Sequence, residues 1–214
     1  MTTARFLVVL DVDSTLIENE VIEMLADCAG SLTEVAAITE RAMSGELDFE
    51  QSLRARVATL AGLPTSCFEE VAAGIRVTQG VPELIAGLHA AGGRIGVVSG
   101  GFHELLDALA EDLELDHWHA NRLEVADGRL TGNVRGPVVD AQAKADALVE
   151  WARVAGLPLA QTVAVGDGAN DLRMMQSAGL SVAFNARPIV RAQAHLALDT
   201  RDLSQLLPLL GLRG

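Results

Sequence analysis

The sequence predicts an α/β protein: a doubly wound parallel sheet with a small helical block inserted after its first strand. Two observations carry this. Apolar strand-like runs at 6–10, 94–100, 161–168 and 180–185 alternate with segments of helical period, as parallel strands joined by crossover helices require. Between the first two of those strands the alternation stops, and residues 17–76 read as helix alone. The expected division is a catalytic core of 1–16 and 77–214 with a cap of 17–76.

Residues 6–10, FLVVL, form a continuous apolar run, which marks a strand buried on both faces. Four helical pieces follow, separated by Gly30-Ser31, by SGELD at 44–48 and by GLPTS at 62–66. Gly74, and Gly80 with Pro82, mark the return to the core. There VPELIAGLHAAGG reads as helix, RIGVVSG as strand, FHELLDALAEDLE as helix and HWHA as a short strand. RLEVADGRLTGNV reads as a hairpin of its own, turned at Asp127-Gly128. Helix AQAKADALVEWARVAG, strand QTVAVGDG, helix NDLRMMQSAG and strand LSVAFN complete the series.

Composition sets the outer limits. Half of the 214 residues are hydrophobic, only 3% are aromatic and none is Tyr, so Leu, Val, Ile and Ala must build the core. A net charge of −13 opposes any phosphate backbone, and nucleic acid is not an expected partner. A small phosphorylated ligand remains compatible, because a local site can oppose the global sign. Cys28 and Cys67 lie in helical apolar patterns and read as two buried thiols. MTTAR leads straight into the first strand, and no apolar run reaches the roughly 18 residues that span a bilayer. The expectation is a soluble, cytoplasmic protein with no membrane partner and no domain ahead of its first strand. Nothing in the sequence fixes an oligomeric state.

Three strands end in polar tips: VVLDVDST at Asp11, IGVVSGG at Ser99 and VAVGDGAND at Asp167. Open α/β sheets bind ligands outside the carboxyl ends of their strands, so Asp11, Asp13, Ser99, Asp167, Asn170 and Asp171 should share one crevice. Four carboxylates crowded together repel, and a hard cation relieves that. Mg²⁺ is the expected ion, content with two or three protein oxygens plus water and phosphate. A calcium loop does not fit, since its fifth and sixth positions counted from Asp11 are Thr15 and Leu16. HWH puts His117 and His119 on one strand face without a third zinc ligand close by in sequence; they and His103 read as ordinary histidines.

With Mg²⁺ comes a phosphorylated substrate. Ser99 offers a hydroxyl, and the N–H groups of Gly100 and Gly101 can approach an anion closely at the start of the next helix. Of sixteen basic residues fifteen are Arg, and Lys144 alone is Lys. A compact ammonium that meets phosphate as a point charge is not replaceable by a wide guanidinium fork. The Asp11–Asp13 spacing then has a use. One carboxylate attacks phosphorus, and the other protonates the leaving alkoxide and later activates water.

DVDSTL, VVSGG, Lys144 and VGDGANDL together resemble, in order, the four motifs of the haloacid dehalogenase superfamily of phosphatases. The helical insertion resembles that superfamily's small-cap subtype. The resemblance implies Asp11 as nucleophile, Asp13 as acid/base, and Mg²⁺ held by Asp11, the Asp13 backbone carbonyl and Asp167. It implies that Ser99, Gly100 and Lys144 bind phosphate, that Asn170 and Asp171 order the site, and that Met43 and Phe49 cover it. Glu20 and Arg56 would recognise the amino and carboxylate groups of a small phosphorylated amino acid. That suits a zwitterion, which needs one anion and one fork-shaped cation. Family members often carry Gly where Ser181 stands, which leaves packing there open. The alternatives are the same machinery on another small phosphomonoester, and a phosphorylatable receiver-like signalling module. The latter has no use for a cap or for an acid two residues after its aspartate.

Overall fold

A computed structural model describes residues 4–212; Met1–Thr3 and the last two residues of the expected core lie outside them. Strand β1 (Leu7–Leu10) runs down the middle of a seven-stranded sheet, hydrogen-bonded on one side to β2 (Arg94–Phe102) and on the other to β5 (Thr162–Gly166). Beyond β2 lie β3 (His117–Ala126) and β4 (Arg129–Arg135); beyond β5 lie β6 (Leu180–Phe184) and β7 (Leu196–Leu198). Every pairing is parallel except β3 with β4. The chain adds strands outward on one side of β1, then crosses to the other. The tip of β1 is therefore the topological switch point, where a crevice opens.

Burial on both faces follows from the alternation along β1. Val8 and Leu10 join one apolar cluster with α5 (Val81–Ala90), α6 (His103–Asp112) and α10 (Leu206–Leu209). Leu7 and Val9 join the other, with α7 (Ala141–Ala155), α8 (Leu172–Ser177) and α9 (Pro188–Arg191).

Four helices separate β1 from α5: α1 (Val21–Ala29), α2 (Leu32–Met43), α3 (Phe49–Ala58) and α4 (Cys67–Gly74). Their apolar faces, with Leu25, Val35, Leu53, Val57 and Val71, continue the first cluster. The chain leaves and returns by adjacent paths. Ile17 bridges Val77, Glu18 N–H donates to the Arg76 carbonyl at 2.8 Å, and Thr78 Oγ1 donates to the Thr15 carbonyl at 2.7 Å. A further attachment comes from the β3–β4 hairpin. Its turn meets the α3–α4 connection through Gly62 N–H to Leu130 O (2.8 Å), Leu130 N–H to Leu63 O (2.9 Å) and Thr65 N–H to Gly128 O (3.0 Å).

Three sequence expectations change. HWHA and the first hairpin arm are one strand, β3, because pairing with β2 runs without a break in the chain into pairing with β4. Cys67 is buried but Cys28 is exposed, since it falls on the outer side of α1, where Leu25 and Ala26 face inward. Strand β7 and helices α9 and α10 went unread, being only three or four residues long. Ser181 has a packing role of its own: its N–H and hydroxyl engage His195 Nδ1 at 3.0 and 2.9 Å, and its Oγ accepts from His195 N–H, which fastens β6 to the β7 approach.

Candidate active site

The tip of β1 is locked before any side chain matters. Asp11 N–H donates to the Val165 carbonyl at 2.9 Å, extending the β5 ladder by one residue. The chain then makes a wide turn over Val12–Leu16, closed by Leu16 N–H to Asp11 O (3.3 Å) and Ile17 N–H to Val12 O (3.0 Å). Ser14 takes φ 57, a left-handed conformation costly for a residue with a Cβ, and the turn sets Asp11 and Asp13 toward one cavity.

Asp11 is buried, and its Oδ1 accepts from Val12 N–H at 2.7 Å and from Lys144 Nζ at 2.6 Å. Lys144 rises from the first turn of α7 and is 0% exposed; its second partner is Asp171 Oδ1 at 2.8 Å. Burial opposes the ammonium, but Asp11 and Asp171 outweigh it and hold Lys144 firmly protonated. Asp171 also accepts from Gly168 N–H at 3.0 Å, so both its oxygens are engaged. Asp13 Oδ1 accepts from Val21 N–H at 2.8 Å. Burial first, and the Glu20 charge second, push Asp13 up to about 7.

Burial and Asp171 likewise raise Asp167 to about 6, and burial with Asp171 raises Asp11 well above the usual carboxylate range. Carboxyl oxygens of Asp11, Asp167 and Asp171 fall within 4.8 Å of one another. Anions this close, opposed by one ammonium, are poorly satisfied as they stand, and an oxygen-seeking divalent cation fits the donor set. The three histidines make no such group among the described residues. His117 stacks on Trp151 at 5.2 Å, and His103 accepts from Ala120 N–H at Nε2, which leaves its Nδ1 proton for Asp107.

Of the expected residues, Asp11, Asp13, Glu20, Met43, Phe49, Arg56, Gly100, Gly101, Asp167 and Asn170 all line one cavity of about 740 Å³. Ser99, Lys144 and Asp171 are buried beside it. Ser99 Oγ accepts from Gly101 N–H at 2.8 Å and points its proton toward Asp13 at 3.5 Å. Phe49 stands over Gly100, 2.9 Å from where a Cβ there would sit, whereas Met43 is 66% exposed at the rim. Glu20 accepts from Ser14 Oγ at 2.6 Å, and burial lowers Arg56 while Glu20, Asp13 and Glu23 support its charge.

Two contributors escaped the sequence reading. Asn121 is buried on β3 and clamps the Gly100 loop, with Nδ2 donating to Gly100 O (2.9 Å) and Oδ1 accepting from Val139 N–H (2.8 Å). Its one signal was an amide inside a strand. Arg187 also lines the cavity, from the loop after β6; it lies in the stretch AFNARP, but the sequence assigns it no role.

Residues 8–176 match the haloacid dehalogenase-like hydrolase family. A phosphoserine phosphatase of Streptomyces coelicolor is 56% identical over 209 residues, 98% of this chain but 51% of that protein. One from Streptococcus thermophilus is 51% identical over 210 residues, with 98% of each chain covered. The chain thus spans about half of the first relative and nearly all of the second. Among solved structures, a phospho-aspartyl intermediate analogue of phosphoserine phosphatase superposes with a TM-score of 0.91 at 45% identity, covering 96% of this chain and 99% of the other. A substrate-bound phosphoserine phosphatase complex gives 0.91 at 44% identity, covering 97% and 99%. Among the described residues, no helix is long and apolar enough to cross a membrane.

Proposed function

The chain belongs to the haloacid dehalogenase-like hydrolase family, and we propose that it hydrolyses O-phosphoserine to serine and inorganic phosphate through an aspartyl-phosphate on Asp11. The observation that carries this reading is the single cavity that joins the Asp11–Asp13 pair to Glu20 and Arg56. Phosphoryl chemistry and recognition of a zwitterionic head group then occupy one space.

Asp11 Oδ1 is held by two donors, and among the described residues no protein hydrogen bond engages Oδ2. Oδ2 attacks phosphorus, the bond from phosphorus to the serine oxygen breaks, and the proton of Asp13 goes to that oxygen. Water then attacks the same phosphorus, Asp13 takes its proton, and phosphate leaves with Asp11 restored as a carboxylate. A group near pKa 7 suits both tasks, acid first and base second. Ser99, the Gly100 N–H and Lys144 bind the phosphoryl oxygens, while Asn170 and Asp171 order the loop.

Mg²⁺ is the proposed cofactor, held by Asp11, Asp167 and the Asp13 carbonyl; bound there, it neutralises charge on the transferring group. Asp171 serves as a positioning residue, because both its oxygens already accept hydrogen bonds. Residues 17–76 act as a cap over the 1–16 and 77–214 core, with Phe49 and Met43 closing over substrate. The reaction is the last step of serine biosynthesis, and we place it in the cytoplasm, where free amino acids are made.

The test is phosphate release from a panel of small phosphomonoesters, with Mg²⁺ and with chelator. Sustained turnover of O-phosphoserine above the others supports the reading. A single burst of phosphoaspartate without continued release would favour a signalling module instead.

A further inference from the structure

The cavity is lined by five carboxylates, Asp11, Asp13, Glu20, Glu23 and Asp167, and by two cationic side chains, Arg56 and Arg187. Its substrate, on the reading above, carries a phosphate near two negative charges together with a carboxylate and an ammonium, about −2 in all. The protein itself stands at −13. An anion approaching this mouth therefore meets a lining with an excess of carboxylates on a protein of negative net charge.

The other cations near the chemistry are already committed. Lys144 is enclosed between Asp11 and Asp171 at 2.6 and 2.8 Å. Arg56 faces Glu20, Asp13 and Glu23 and bonds the Ser52 carbonyl through Nε at 3.3 Å. Arg187 differs. Its backbone is fixed: its N–H donates to Asp167 O at 3.2 Å, and its carbonyl accepts from Val190 and Arg191 N–H at 3.0 and 3.1 Å. Pro188 follows and restricts the chain further. Its side chain is exposed, and among the described residues no acceptor or carboxylate pairs with it. A free guanidinium is thus carried on a rigid mount at the cavity wall, next to the loop 167–170 that bears Asp167.

We propose that Arg187 is the receiving cation of the site: it draws the phosphate-bearing substrate across an acidic mouth and holds its phosphate or carboxylate on the way to Asp11. This rests on the reading of the cavity as a site for an anionic phosphomonoester. Arg187 touches no reacting atom in the role assigned, so it governs capture rather than the chemical step. A guanidinium suits this, since it binds either oxyanion through parallel hydrogen bonds and remains charged at any working pH.

The test compares Arg187→Ala, Arg187→Lys and Arg187→Glu with Arg153→Ala, a control that removes one exposed arginine paired with Glu150 on α7. Steady-state kinetics with O-phosphoserine and Mg²⁺ are run from about 10 mM to about 500 mM ionic strength, where screening shortens from about 30 Å to a few ångströms. At low salt, Arg187→Ala should lose about three- to tenfold in kcat/KM, with kcat changed less than about twofold. Arg187→Glu should lose more, Arg187→Lys should recover most of the loss, and the deficits should shrink at high salt. Arg153→Ala should match wild type. Calorimetric binding of inorganic phosphate should weaken in the same order, and needs no turnover. The inference is overturned if Arg187→Ala matches Arg153→Ala at low salt. It is equally overturned if the loss is independent of salt and shared by Arg187→Lys, which would assign the residue to packing of the 167–170 loop. A wild type that binds phosphate but releases none from O-phosphoserine would instead refute the substrate reading, with the phosphate-binding series still deciding Arg187.

Discussion

Asp13 Oδ1 accepts a hydrogen bond from the backbone N–H of Val21 at 2.8 Å, so the proposed acid/base is held by the first residue of the first inserted helix. Burial and the Glu20 charge push Asp13 up to about 7, against the pull of this donor and, after it, of the Lys144 charge. Val21 is the first helical residue, where proline is tolerated because the N–H has no partner in the helix. Val21→Pro deletes the donor and should move the pH–rate limb near 7 upward by about one unit. Val21→Ala keeps the donor and should leave the limb in place. If both variants share one limb, the contact does not govern Asp13.

Lys144 is fully buried, with two carboxylates on its ammonium. Lys144→Arg keeps the charge but not the shape, and should cost at least about tenfold in turnover, roughly 1.4 kcal/mol. Lys144→Met leaves Asp11 and Asp171 buried without a cation. A loss of about 3–5 kcal/mol is expected in denaturant unfolding. Wild-type kinetics for the arginine variant would make the solitary lysine an accident of composition.

A Cβ at Gly101 would lie 3.0 Å from both Asp13 Oδ2 and Ser99 Oγ, while one at Gly100 would lie 2.9 Å from the Phe49 ring. Gly101→Ala should therefore lower kcat with little change in KM. Gly100→Ala should raise KM by displacing Phe49, and Phe49→Ala should relieve part of that in a double-mutant cycle. Additive effects in the cycle would show that Phe49 does not close on Gly100.

Glu20 and Arg56 make separable predictions about the substrate. Arg56→Ala should reduce kcat/KM for O-phosphoserine far more than for phosphoethanolamine, which lacks the carboxylate. Glu20→Gln should harm O-phosphoserine more than phosphoglycolate, which lacks the amine. Equal losses on all three substrates would leave both residues as supports of the helical insertion.

The acidic cluster ties stability to pH and metal. Asp13 and Asp167 titrate near 7 and near 6 in the folded chain, against about 3.9 unfolded, so between those values the folded state binds more protons. Metal-free stability contributed by these groups is fully present below about pH 4, declines as pH rises through about 6 and 7, and is lost above that. Mg²⁺ should accordingly raise Tm more at pH 8 than at pH 5. An equal gain at both would mean that the ion does not relieve these carboxylates.

Much of this protein was legible before any coordinates. The helix and strand series of the core, the four helices between the first two strands, and the strand tips bearing Asp11, Ser99 and Asp167 all follow from local rules of period and turn chemistry. The strand tips could be grouped because parallel sheets bring carboxyl ends together wherever the chain reverses direction. Short elements and the exposed thiol failed for the converse reason. Three residues of β7 carry no period, and the facing of Cys28 depends on which side of α1 meets its neighbours.

The sequence by itself determined which chemical groups exist and in what order they reach the sheet edge. Their state was decided by tertiary structure. Asp13 lies near 7 because the folded chain removes its water while the turn after β1 holds Glu20 close, and Lys144 is charged because Asp11, 133 residues away, and Asp171 converge on it. Asn121 reaches the Gly100 loop from β3 through strand pairing, and Arg187 reaches the cavity because its N–H is bound to Asp167. Such facts depend on burial and on distances between residues remote in the chain. Local sequence encodes geometry over a few residues, whereas desolvation and Coulomb energy depend on everything within about 10 Å, which only the folded chain brings together.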